Sequence, residues 1–113
     1  IFELFLERKI INYTSSDIIK ELEDVLGRPY FRDFISKEYR QFILDNFKDL
    51  SIKINPKFNE KAVPEDTADN KFVNCALSVN AIIISGDNHL IELGRYKGID
   101  IYSANEFLDS INQ

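Results

Sequence analysis

The chain has 113 residues, 44% of them hydrophobic, with 19 acidic against 14 basic side chains and a net charge of −5, which suits one domain spanning residues 1–113 and is too little for two well-cored ones. The acidic balance excludes the broad basic face of a nonspecific nucleic-acid binder, although bound cations can invert the field of an acidic pocket. A single cysteine, Cys75, excludes an internal disulfide, and no run reaches the ~20 apolar residues of a membrane span, so a reduced cytoplasmic protein is expected.

In chain order, Ile1 to Arg8 reads as the end of a helix, because no cap precedes Phe2, Leu4, Phe5 and Leu6. The chain also contains no methionine, and the expectation is that Ile1 is not the native start. Ile10 to Thr14 is a short β-like run. Thr14, Ser15 or Ser16 then caps a helix through Gly27, with Ile18, Ile19, Leu22, Val25 and Leu26 as its inward stripe. Glu21 lies on the flank of that stripe, whereas Lys20 and Asp24 point away. Gly27 and Pro29 end the helix, and Tyr30 to Ile35 forms a short helical turn.

Ser36 opens a helix over about Lys37 to Lys48, with Tyr39, Phe42, Ile43 and Phe47 at core spacing. Ser51 to Ile54 alternates like a strand. Residues 55–66 are polar, contain two prolines, and form the one long loop. Behind Pro64, the recurrence of Phe72, Val73, Ala76 and Leu77 predicts a helix entered through acidic residues. Ala81 to Ile84 is a continuous apolar run closed by Gly86, as in a buried parallel strand, and leaves Asp87 at the strand end. A short helix is predicted within His89 to Tyr96, a last strand over Ile99 to Tyr102, and a terminal helix capped by Ser103 or Asn105. Alternating helices and strands predict an α/β domain with a parallel sheet.

Several chemistries are excluded by what is missing. His89 is the only histidine, so a histidine-rich zinc site cannot be assembled, and His89 reads as a surface or helix-start residue. Cys75, on an apolar helix face, reads as a structural thiol. Neither a Gly-x-Ser-x-Gly nucleophile turn nor a glycine-rich phosphate loop is present. Oxygen ligands for a hard cation, Mg²⁺ or Mn²⁺, remain. Asp69 at a helix start and Asp87 past a strand end can bring two carboxylates to one rim. Each also has an ordinary alternative: Asp66, Asp69 and Asp87 can cap helix amides, and Glu21 can be a solvated helix residue.

These segments resemble the PIN domain, a metal-dependent ribonuclease fold common among toxins of bacterial and archaeal toxin-antitoxin pairs. Thr14-Ser15-Ser16-Asp17-Ile18-Ile19-Lys20-Glu21-Leu22 resembles the family's glutamate-bearing helix. Asp66-Thr67-Ala68-Asp69-Asn70-Lys71-Phe72 is similar to its Asp-x-x-Asp-Asn-Lys-Phe segment. Ala81 to Asp87 is similar to its strand ending in Thr/Ser-Gly-Asp. The resemblance implies a three-layer fold with a mostly parallel central sheet flanked by helices, in which Glu21, Asp69 and Asp87 are the catalytic metal-site carboxylates. Asp66 and Ser85 are implied as supporting groups. It further implies an RNA substrate, an antitoxin partner protein and a homo-oligomer, with no membrane. The family's first strand, ending in Asp-x-Asn, has no counterpart here, so the chain is expected to be N-terminally incomplete. Arg28, Lys71, Arg95 and Lys97 are candidates for holding an RNA backbone. Two rival readings are a non-catalytic PIN-like interaction module and a phosphoryl-transfer fold. The latter needs a nucleophilic aspartate on an early strand, which is not seen.

Overall fold

In the computed structural model, which describes residues 1–64 and 67–112, helices and short strands alternate along the chain as an α/β fold. The chain divides into two units, one comprising Phe2–Asn55 and the other Ile1 with Pro56–Gln113.

The first unit contains α1 (Phe2–Leu6), β1 (Tyr13–Thr14), α2 (Ser16–Leu26), α3 (Pro29–Phe34), α4 (Lys37–Leu50) and β2 (Ile52–Lys53). Ser15 starts α2, its hydroxyl accepting from the Ile18 amide at 3.4 Å, and Ile18 and Leu26 bury the inward stripe. Pro29 occupies the first turn of α3, where its missing N–H costs nothing. β1 and β2 pair in parallel, Tyr13 opposite Ile52, extended by Asn12 Nδ2 donating to Ser51 Oγ at 2.9 Å. The core spacing read along α4 translates into burial only in part: Ile43 and Phe47 are half-buried, the Phe47 ring 6.3 Å from that of the buried Phe5. Tyr39 and Phe42 are 48% and 45% exposed, stacked on each other with centroids 5.9 Å apart, and no residue of α4 is fully buried. The unit offers that face too few apolar partners, chiefly the edge of Phe2 against Phe42.

The second unit carries α5 (Asn70–Val79), entered through a 3₁₀ turn at Thr67–Asp69, then β3 (Ile83–Ile84), α6 (Asn88–Leu93), β4 (Arg95–Tyr96), β5 (Ile99–Tyr102) and α7 (Ala104–Ile111). β3 pairs in parallel with β5, placing Ile83 opposite Ile101, and β4 lies antiparallel on the other side of β5. The short helix was expected within His89 to Tyr96, and β4 takes the last two of those residues. Gly94, at φ +68°, stops that helix, and Lys97 and Gly98, both at positive φ, form the two-residue turn that folds Tyr96 back onto Ile99. The parallel sheet expected from the sequence is thus present as two short pieces, one in each unit.

Val63, Val73, Ala76, Ile83, Leu90, Ile99 and Ile101 form the core of this unit. At roughly 2 kcal/mol for a buried aliphatic side chain, it anchors both α5 and the strand ends that carry the acidic residues. The 57–63 segment is strapped along α5 by one polar row of the helix. Asn70 Oδ1 accepts from the Val63 amide at 2.8 Å, Asn74 Oδ1 from the Glu60 amide at 2.7 Å and Ser78 Oγ from the Lys57 amide at 2.9 Å. Glu60 is also held by the β4–β5 hairpin, accepting from Tyr96 Oη at 3.1 Å and forming an ion pair with Lys97. Ser103 and Glu106 close a reciprocal capping box at the start of α7. No described helix is long and apolar enough to cross a membrane.

Candidate metal centre

Two turns of the second unit converge. The 3₁₀ turn delivers Asp69 to the start of α5, only 8% exposed, with helical backbone angles and no side-chain bond to the helix amides. The ordinary reading of Asp69 as a cap therefore fails, leaving a buried carboxyl whose position another interaction must justify. The loop after β3 delivers Asp87. Ser85 Oγ accepts from the Asp87 amide at 2.9 Å and fixes that turn. Asp87 is the cap of α6, with Oδ1 accepting from the His89 and Leu90 amides at 2.8 and 3.3 Å. The ordinary reading thus holds for Asp87, and it does not exhaust the residue.

Asp69, Asp87 and His89 each present a ligand atom, and these atoms all lie within 4.8 Å of one another. Burial pushes the Asp87 carboxyl up, but its interaction with the Asp69 side chain, the amides of His89 and Leu90 and the neighbouring imidazole outweigh that and hold the group below the usual carboxylate value. A divalent cation between the two carboxyl groups would offset their mutual repulsion. The donor set, two carboxylates and one imidazole, fits a hard or borderline cation such as Mg²⁺ or Mn²⁺.

Asp66 lies outside the described residues. Glu21 belongs to the first unit, half-buried on α2 at the flank where helical projection placed it. Ser85 supports Asp87 through the backbone, as just described. Of the basic candidates, Arg28 pairs with Asp24 at 3.2 Å, Arg95 with Asp100 at 3.0 Å, and Lys97 with Glu60. These are exposed pairs of small energy, which an incoming phosphate can displace. Cys75 is buried, and burial pushes its thiol up, consistent with a structural role.

His89 was read only as a surface or helix-start residue. It is at the start of α6, with its side chain 47% exposed, yet its Nδ1 stands 3.8 Å from Asp87 Oδ1. The signal was its position two residues after Asp87, since a capping aspartate binds the amide of that same residue.

Paired acidic groups at a strand end and a helix start of an α/β fold form an arrangement able to hold a divalent cation. The sequence matches the PIN domain family over residues 1–89, and the chain belongs to that family, whose members are generally metal-dependent nucleases. It is also 44% identical over 94 residues to an uncharacterized protein of Methanocaldococcus jannaschii, an alignment covering 82% of this chain and 60% of the relative. The chain therefore spans less than two thirds of that relative's length. No solved structure matches it significantly.

Proposed function

We propose that the protein is a Mg²⁺- or Mn²⁺-dependent endoribonuclease, the toxin of a toxin-antitoxin pair, acting in the cytoplasm. The observation that carries this reading is the convergence of Asp69, nine-tenths buried, with Asp87 and His89, whose ligand atoms all lie within 4.8 Å of one another. A cation held there supplies a reactive water and neutralises charge on the scissile phosphate. In this reading Asp69 and Asp87 are metal ligands, and the family resemblance alone supports Glu21 as a further one. Ser85 orients Asp87 through its backbone amide. Asp66 adds a further carboxylate just ahead of Asp69. Arg28, Lys71, Arg95 and Lys97 steer the RNA backbone, which favours cleavage at low ionic strength. The family resemblance supports an antitoxin protein and a second copy of the chain as partners.

A fluorescent single-stranded RNA incubated with the full-length protein tests the reading. Cleavage is expected with Mg²⁺ or Mn²⁺, to stop with EDTA, and to fall at least about a hundredfold in Asp69→Asn and in Asp87→Asn. Retained turnover in a folded Asp69→Asn/Asp87→Asn double variant would eliminate it. A non-catalytic PIN-like module, favoured by the exposure of Tyr30 and Phe34 at 67% and 78% on α3, predicts no metal-dependent cleavage at all.

A further inference from the structure

We propose that His89 is itself a ligand of the divalent cation and that its nitrogen tilts the site from Mg²⁺ toward Mn²⁺. The inference rests on the metal-site reading above and concerns which cation that site prefers. Asp87 caps α6 by accepting from the His89 amide at 2.8 Å, which fixes the His89 backbone against the carboxyl and keeps the imidazole on the same side of the turn. The Nδ1 to Oδ1 separation of 3.8 Å is beyond hydrogen-bond range. It is nevertheless a spacing that one ion can bridge. Two donors each about 2.1 Å from a cation lie about 3.0 Å apart at right angles and about 4.2 Å apart across it.

The three ligand atoms lie within 4.8 Å of one another, so closing on an ion requires only a small inward movement. The half-exposed ring of His89 can make it by side-chain rotation, while the buried Asp69 stays in place. The chemistry sets the preference. Mg²⁺ favours oxygen donors and keeps its waters, whereas Mn²⁺ precedes the imidazole-binding transition metals and accepts nitrogen and oxygen together. A nitrogen in place of an oxygen therefore weakens the site for Mg²⁺ more than for Mn²⁺.

The chain has one histidine, and loss of an imidazole nitrogen signal from bound metal in His89→Gln assigns that nitrogen to His89. Pulsed electron paramagnetic resonance of the full-length protein loaded with Mn²⁺ tests the inference, alongside calorimetric titrations with Mn²⁺ and with Mg²⁺. Nitrogen modulation is expected in the parent and lost in His89→Gln, with Mn²⁺ affinity falling about tenfold and Mg²⁺ affinity less than about threefold. Stoichiometric Mn²⁺ binding without nitrogen modulation, or equal losses for both ions in His89→Gln, would overturn the role of His89 and leave the carboxylate site standing. Failure of the parent to bind Mn²⁺ would overturn both.

Discussion

The row Asn70, Asn74 and Ser78 on α5 makes one kind of hydrogen bond three times, at three depths. Each side-chain oxygen accepts one strap amide at 2.7 to 2.9 Å, but the bond to Val63 is buried, that to Glu60 part-buried and that to Lys57 exposed. Removing the acceptor exposes the Lys57 amide to water, which replaces the lost bond, so Ser78→Ala should cost about 0.5 kcal/mol. The Glu60 amide is partly reachable, and Asn74→Ala should cost about 1.5 kcal/mol. The Val63 amide has no such recourse, since Val63 is 2% exposed and Asn70 9%. Asn70→Ala should therefore cost about 3 kcal/mol, the upper end for a stranded buried donor. The better helix propensity of alanine returns about 0.5 kcal/mol at each asparagine and leaves the order unchanged. Urea unfolding followed by circular dichroism measures the three losses, with unchanged slopes showing that only stability moved. Equal losses, or the largest at Ser78, would refute the argument that burial sets the cost.

Leu90→Ala empties a fully buried core position beside the α6 cap and should cost about 3 kcal/mol, read by the same unfolding assay. The Glu60–Lys97 pair gives a pH signature. The Lys97 bond holds the Glu60 carboxyl below its ordinary 4.5, and the Glu60 bond holds Lys97 above its ordinary 10.5. Glu60 therefore stabilises above pH 4.5, and that contribution is lost as pH falls through its lowered value. Lys97 stabilises below pH 10.5 and loses its contribution as pH rises through its raised value. The melting-temperature difference between parent and Glu60→Gln should thus be present at neutral pH and vanish in acid; a difference constant down to the acid limit contradicts the pairing. Glu21→Gln tests the carboxylate proposed from the family resemblance: Mn²⁺ affinity should fall about tenfold with unfolding unchanged, and an unaltered affinity removes Glu21 from the proposal.

The strongest periodic signals survived into the structure. The stripe of α2 buries Ile18 and Leu26, α5 buries Val73 and Ala76, and β5 alternates with Ile99 and Ile101 inward. Asp69 and Asp87 were legible because a helix start and a strand end are fixed by local pattern, and their juxtaposition follows from α5 and β3 sharing one core. What escaped was decided by partners distant in sequence or by turn geometry. Tyr39 and Phe42 have helical core spacing, but spacing cannot say whether a partner face exists. The β4–β5 hairpin escaped because its Lys97-Gly98 turn is only two residues long and Leu90, Ile91 and Leu93 set a helical period over the span ending at Tyr96. The strap on α5 was visible only as polar residues four apart, Asn70, Asn74 and Ser78, without any sign of what they would bind. His89 was judged as a lone histidine, although its neighbour two residues back was already a candidate ligand.

Anomalous scattering from crystals of the full-length protein soaked in Mn²⁺ tests the metal centre at its root. The account predicts a peak within coordination distance of a carboxylate oxygen of Asp69 and one of Asp87. A fully soaked crystal with no peak there would contradict it.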